Sequence, residues 1–474
     1  MKKTANRPSK QSKPIVNQPT NGASKKAIGA IDASRLQSFQ SDFESRPENR
    51  MALNAVAKTS LPNVSLNRQR VVENNHVFSI QLKSGDATSQ NASGRCWLFA
   101  GLNPMRAAMI EKYKLDSKFE LSQNYLMFWD KLERANYFLE SILKTVDEPV
   151  GSRLLDYLLR DPIQDGGQWD MFVNLIRKYG VVPKSIMPET ESSSATRWMN
   201  HTITHKLREF AAELREASNR GESKAKLRAR KDEMLSIVYR MLAIHLGEPP
   251  KRFDWQYRDK EDKFHRIADI SPQEFFKKYV PYDIDSKVCL IHCPQSSKQF
   301  GTVYTLDYLG NVIDGEIIRY LNVELQVLKN ATVEMLKSGE TVWFGADVGK
   351  MMDRDLGMLD MDIYDFSSIY GIVFGLDKAS RLDYGHSAMN HAMVFTGVDL
   401  DAKGNPKKWR VENSWGEQVG DKGYFAMSDN WFDEYVYEVA VDKKFVPKNL
   451  IKAFETEPVH LPPWDPMGAL ATKR

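Results

Sequence analysis

The chain has 474 residues, 42% hydrophobic and 27% charged, with a formal net charge of +4. This composition fits a globular protein with a large core and excludes collagen-like, low-complexity and disulfide-scaffold classes. Three cysteines, Cys96, Cys289 and Cys293, cannot make a disulfide framework, and the absence of an 18-residue apolar run or an apolar signal region makes the cytoplasm the expected location, with no membrane partner.

Residues 1–31 read as a disordered basic tail. Lys2, Lys3, Arg7, Lys10, Lys13, Lys25 and Lys26 occur there without an acid, among Pro, Ser, Asn, Gln and Thr. Such a run can contact nucleic acid, but no aromatic residue is interleaved for base stacking, so a solubilising extension is the preferred reading. Residues 32–200 read as a helical half. Within it His76-Val77-Phe78-Ser79-Ile80 is a predicted short strand leading to Gln90-Asn91-Ala92-Ser93-Gly94-Arg95-Cys96-Trp97. Leu98, Phe99, Leu102, Met105 and Met109 recur at helical spacing, which puts Cys96 in the first turn of a helix. Free backbone N–H groups and the helix dipole favour a thiolate there; a buried structural cysteine is the alternative.

Tyr125 to Leu143 is a second predicted core helix, with Leu126, Trp129, Leu132, Leu139 and Ile142 on one side. Asp165-Gly166-Gly167-Gln168-Trp169-Asp170 interrupts the helical pattern. Its glycines allow close backbone approach, and Trp169 either walls a cleft or packs behind a tight turn. Residues 201–285 read as a helical insertion and oligomerisation element. The break at Asn219-Arg220-Gly221-Glu222 makes 203–246 a helical hairpin whose charges form a solvated face or an assembly surface. In Val288-Cys289-Leu290-Ile291-His292-Cys293 a strand would place His292 on the face opposite the two cysteines. No second ligand pair accompanies them, so an apolar strand is expected and no metal site.

Residues 286–455 read as the β-rich half. His391 precedes an apolar strand, and the turn Asp401-Ala402-Lys403-Gly404-Asn405-Pro406 folds Trp409 to Gly416 back as a hairpin. Asn413 then lies beside His391, where its amide oxygen can orient the imidazole, and Trp415 can shield that bond. Cys96, His391 and Asn413 together supply nucleophile, base and orienting group. Residues 456–474 form a C-terminal arm. Pro462-Pro463-Trp464-Asp465-Pro466 is stiff, and Met467 to Ala471 is small and apolar, suited to a groove or to covering hydrophobic surface.

Ser93-Gly94-Arg95-Cys96-Trp97, Asp165 to Met171, Trp343-Phe344-Gly345, His391-Ala392-Met393, Arg410 to Gly416 and Trp464 to Ala471 occur in order, with Gln90 six residues before Cys96. The chain thereby resembles the papain-like cysteine peptidases, and within them the bleomycin hydrolase or aminopeptidase C branch, from about residue 35 to 471. His391 lies roughly 300 residues after Cys96, against about 130–150 in ordinary papain-like enzymes, and the insertion accounts for the surplus.

The resemblance implies an α+β papain-like fold, with an N-terminal helical half, a C-terminal antiparallel β half and large helical insertions. It implies a cysteine aminopeptidase acting on peptides or aminoacyl amides, including bleomycin-like amides, without cofactor or metal. Gln90 and the Cys96 backbone N–H would form the oxyanion hole, and Gly167, Trp169, Trp415 and Ala471 would bind substrate. A homohexamer with sites facing an internal channel is implied in the same way. So is an arm whose terminal carboxylate meets the substrate α-ammonium. Thr472-Lys473-Arg474 departs from that pattern, and the expectation is self-trimming towards Ala471. A papain-like acyltransferase is the alternative activity.

Overall fold

A computed structural model describes residues 28–472; most of the basic stretch, 1–27, and Lys473-Arg474 lie outside the described residues. Two compact units are present. The smaller comprises residues 28–64 with 369–371 and contains the helices Ala33–Glu44 and Pro47–Lys58. The Asp32 carboxylate caps the first by accepting the Arg35 N–H at 2.9 Å, and Pro47 opens the second, where its missing N–H costs nothing. Leu36, Phe39, Phe43, Met51 and Leu53 on these helices are all exposed.

The larger unit holds the remaining described residues. Its first long helix, Cys96–Tyr113, is buried through most of its length, so the apolar face read from the sequence understates its burial. Helix Gln123–Lys144 begins at Ser122, whose hydroxyl accepts the Tyr125 N–H at 3.0 Å. The charged region is a hairpin of Arg197–Asn219 and Lys224–Leu246, turned at Gly221 with φ of +80° and capped by Ser223. Leu207, Phe210 and Leu214 on one arm and Met234, Val238 and Leu242 on the other are buried at helical spacing. Both arms pack on helix Gln123–Lys144. The hairpin therefore begins before residue 201, and the stretch to 285 is not wholly helical: Phe253–Arg258 and Phe264–Ile270 pair as antiparallel strands.

A 12-stranded sheet forms the other half. At its centre Val342–Ala346, His391–Leu400, Pro406–Glu412 and Tyr424–Ser428 run antiparallel, with His391 opposite Ala346 and Val394 opposite Glu412. Val436–Asp442 flanks Val342–Ala346 and pairs with Lys287–Ile291. Three pairings nearer the edges are parallel, so the sheet is mixed there rather than antiparallel throughout. The predicted strand His76–Ile80 is reduced to Ile80–Gln81. Side chains hold the preceding loop instead: Lys408 Nζ donates to the Asn75 carbonyl at 2.7 Å and Asp399 accepts the Ser79 N–H at 3.2 Å. Among the described residues no helix is long and apolar enough to cross a membrane.

Candidate active site

The helix Cys96–Tyr113 packs against the strand His391–Leu400, which brings the two halves of the site together. Cys96 is the first residue of its helix. The backbone N–H groups of Ala392, Trp97 and Cys96 itself are directed at its sulfur, an arrangement that favours negative charge. His391 Nε2 lies 2.8 Å from Asn413 Oδ1. That Asn413 atom also accepts the Ser414 backbone N–H at 2.8 Å, which identifies it as the carbonyl oxygen. Nε2 therefore carries the proton, and Nδ1 keeps its lone pair to act as a base. Trp415 covers the ring with centroids 5.0 Å apart, shielding the bond to Asn413.

Burial dominates the electrostatics. It pushes the Cys96 thiol up to about 11 and holds the His391 imidazole down at about 4, against a smaller opposing effect of Asn413. Neither group ionises alone. Transfer of the thiol proton to His391 makes both charges together in a place where they attract strongly. Burial thus opposes a lone charge on either group, while the backbone N–H groups favour a thiolate, so the two charges form together.

In the unfolded chain an imidazole titrates near 6.5, so below that pH the unfolded state takes up a proton that folded His391 refuses. His292, buried and bonded through Nδ1 to the Val323 carbonyl, is likewise held at about 4 by burial. Stability should therefore fall as pH drops from 6.5 to 5, above the range where most carboxylates titrate. Urea midpoints across that window should decrease, with a shallower slope in His292→Gln; a flat profile would contradict this account.

Gln90 is fixed at both ends. Its Oε1 accepts the Ser414 hydroxyl at 2.7 Å and its Nε2 donates to the Ser93 carbonyl at 2.5 Å. The amide carries a second N–H, which remains as a donor in the cleft that Gln90 and Cys96 both line. That cleft has a volume of about 960 Å³. His386 lines it too, but it is exposed and Asn413 is bonded to His391 instead.

None of the four residues expected to bind substrate is among those that line this cleft. Trp169 is buried, packed against Trp343 and Phe172, because it opens the helix Trp169–Tyr179 with its indole towards the core. A Cβ on Gly167 would lie 2.4 Å from the Trp97 indole, so this glycine permits close packing there. Gly166 lines the cleft in its place, with Gln164 and Met389. Trp415 lies behind His391 and is not among the cleft-lining residues. Ala471 is buried, its carbonyl accepting a hydrogen bond from Gln164, while Leu470 and Thr472 line the cleft.

Asp165 escaped selection although it stands in a quoted motif. Its carboxylate accepts bonds from Gly94 N–H at 3.0 Å, Lys131 Nζ at 2.6 Å, Thr196 Oγ1 at 2.5 Å and Asn200 Nδ2 at 2.7 Å. Burial alone would raise this carboxyl, but Lys131 and the hydrogen bonds hold it well below the usual range. It ties the nucleophile loop to the insertion, and Arg197, Asn200, His201 and Thr204 of the insertion line the cleft. The insertion is therefore part of the site wall.

A second tie joins the halves behind the site. Glu412, adjacent to Asn413, accepts Asn103 Nδ2 at 2.8 Å and faces Arg106 Nη2 at 3.3 Å, both donors coming from the Cys96 helix. The pair is buried. Arg106→Met would leave a buried carboxylate without its cation and should cost about 3–5 kcal/mol in urea unfolding. Adding Glu412→Gln should recover part of that loss.

The Peptidase C1-like family matches residues 30–468. The chain belongs to that family. As a peptidase C1-like protein it is 46% identical over 432 residues to aminopeptidase C of Streptococcus thermophilus, covering 91% of this chain and 97% of the relative. It is 42% identical over 450 residues to human bleomycin hydrolase, covering 93% and 99%. The crystal structure of PepW from Lactobacillus rhamnosis superposes with a TM-score of 0.92 at 46% identity, covering 93% of this chain and 99% of that one. The papain-like architecture of this peptidase C1-like chain thus extends through its insertions.

Proposed function

We propose that this cysteine aminopeptidase removes N-terminal residues from peptides and aminoacyl amides, bleomycin-like amides included, through a thioester on Cys96. The observation that carries the reading is the convergence of Cys96 and an Asn413-oriented His391 in a cleft that Ala469, Leu470 and Thr472 also line. Cys96 sulfur attacks the scissile carbonyl as its proton passes to His391 Nδ1. The tetrahedral oxyanion is met by the Cys96 backbone N–H and the free N–H of Gln90. His391 then protonates the leaving amine and activates the water that hydrolyses the thioester.

The arm shortens the cleft, leaving room for a free amino terminus but not for a longer chain. Buried Lys298 pairs with Asp465 at 3.0 Å, Arg153 stacks 3.8 Å over Trp464, and Asp465 caps the short helix Pro466–Ala471. The relatives' names, aminopeptidase C and bleomycin hydrolase, support the same mode. The test compares an aminoacyl amide with its N-acetylated form, with and without a thiol alkylator. Alkylator-sensitive cleavage of the unblocked form only is expected; equal cleavage of both would sink the aminopeptidase reading.

Self-association into a homohexamer belongs to the same reading. It is supported by the exposed Leu36, Phe39, Phe43, Met51 and Leu53, an apolar set that another copy would cover. Sedimentation velocity should show a particle of six chains, and a monomer at micromolar concentration would overturn this part.

A further inference from the structure

A lysine on the cleft wall, Lys350, has no anion within hydrogen-bond length among the described residues, and no step above employs it. The order of groups along that wall follows from the strand Val342–Ala346. A Cβ on Gly345 would lie 3.2 Å from Leu470 Cδ2, which places the arm beside this residue. The next residue, Ala346, pairs with His391, and its carbonyl accepts the Asn390 N–H at 3.0 Å. Asp347 follows, and the turn after it leads to Lys350; both line the cleft. The wall therefore runs from the arm past His391 to Asp347 and Lys350. Arg197, the other lysine or arginine lining the cleft, follows Thr196, whose hydroxyl donates to Asp165. Asp165 adjoins Gly166, where a Cβ would lie 2.6 Å from the Leu470 carbonyl, so Arg197 stands on the arm side.

Asp347 is engaged by the loop that carries the histidine. Its Oδ2 accepts the Ser387 hydroxyl at 2.7 Å, its Oδ1 accepts Asn390 Nδ2 at 2.7 Å, and the Ala388 N–H is directed at the same carboxylate. Lys350 is not held in this way. Its Nζ lies 3.9 Å from Asp347 Oδ2, beyond hydrogen-bond length, and its side chain is 36% exposed. The turn itself is pinned through the backbone, where the Trp431 indole N–H donates to the Lys350 carbonyl at 2.9 Å. A charge with a fixed root and no close counter-charge stands ready for an anion that arrives with substrate. The reaction sets where that anion would sit. A leaving group starts at His391, which protonates its amine, and extends away from the arm. One residue spans about 3.5 Å, and the turn folds the ammonium back to the level of Asp347, one position past Ala346. A carboxylate one residue beyond the scissile bond comes to that level, whereas the carboxylate of a longer peptide passes it.

We propose that Lys350 forms a carboxylate-binding site on the leaving-group side of the cleft and selects dipeptides, whose single departing residue brings its free carboxylate to the ammonium. The inference rests on the aminopeptidase reading, in which the substrate amino terminus lies at the arm. It adds a second end to substrate recognition: the arm meets the amino terminus of a dipeptide and Lys350 meets its carboxyl terminus.

The test measures initial rates on alanyl-alanine as the free acid and as its C-terminal amide, using the full chain as parent, Lys350→Met, Lys350→Arg, Lys350→Glu and Arg197→Met. The acid-to-amide ratio of kcat/KM within each protein cancels differences in folding and in active enzyme. Lys350→Met should lower that ratio about fivefold, the upper range for a partly exposed ion pair. The loss should appear in KM, because the contact exists before the reaction as well as during it. Lys350→Arg should keep the ratio within about twofold of the parent, Lys350→Glu should lower it further, and Arg197→Met should leave it in place. With trialanine and its amide, Lys350→Met should change the ratio by less than about twofold, since that carboxylate lies past the ammonium. A dipeptide ratio unmoved by Lys350→Met, an equal fall in Arg197→Met, or an equal effect on the tripeptide would overturn the proposal alone. Failure of the parent to cleave the unblocked amide at all would overturn the aminopeptidase reading and the proposal with it.

Discussion

Cys96→Ala should reduce hydrolysis of an unblocked aminoacyl amide by on the order of 10⁴-fold or more while the protein remains folded. The size follows from the role: without the sulfur no thioester forms, and His391 and Gln90 act on a substrate that has lost its nucleophile. The fold should tolerate the change, because alanine fits the first turn of the helix and the hydrogen-bonding neighbours of the removed atom are backbone N–H groups, those of Ala392 and Trp97 among them. Comparing kcat/KM with the urea midpoint separates chemistry from stability. Turnover within tenfold of the parent would remove Cys96 from the mechanism. His391→Ala should have an effect of the same order, whereas loss of turnover in His386→Ala with retention in His391→Ala would reverse the choice of base.

Intact mass should show the parent enzyme shortened beyond Ala471 and the Cys96→Ala variant retaining Thr472-Lys473-Arg474. Ala469, Leu470 and Thr472 of the arm line the cleft that Cys96 and His391 also line, and the Ala471 carbonyl is held by Gln164. A chain seated in this way presents its own peptide bond to its own nucleophile, so the reaction is intramolecular and its effective concentration is high. Removal of the last residues would also take the charges of Lys473 and Arg474 off the arm. Identical full-length masses for parent and variant would rule out trimming.

Much of the architecture was legible locally. The helix beginning at Cys96, the hairpin of charged helices and the β-hairpin joining His391 to Asn413 each follow from periodicity and turn residues over short spans. Misreadings arose where a residue's neighbours are distant in sequence. Trp169 beside two glycines gives no local sign of whether it faces a cleft or the core; its contacts with Trp343 and Phe172 decide. His76 to Ile80 has strand-like residues, but Asn75 and Ser79 are held by Lys408 and Asp399, more than three hundred positions away, and only Ile80–Gln81 pair.

The candidates for nucleophile, base and orienting amide were legible in the sequence itself, because each needs a particular functional group in a particular local setting: a thiol opening a helix, an imidazole opening a strand, an amide across the following turn. Electrostatic state and access were decided only by tertiary structure. Whether Cys96 rests as thiol or thiolate depends on its burial and on backbone N–H groups that include that of Ala392 from a distant strand. The Asp165 and Glu412 ties depend on partners from separate elements. Met389, Leu470 and Glu438 come together around Gly345 only in the packed chain. Burial and distance are properties of the packed chain, and charge, proton affinity and cleft shape follow from them.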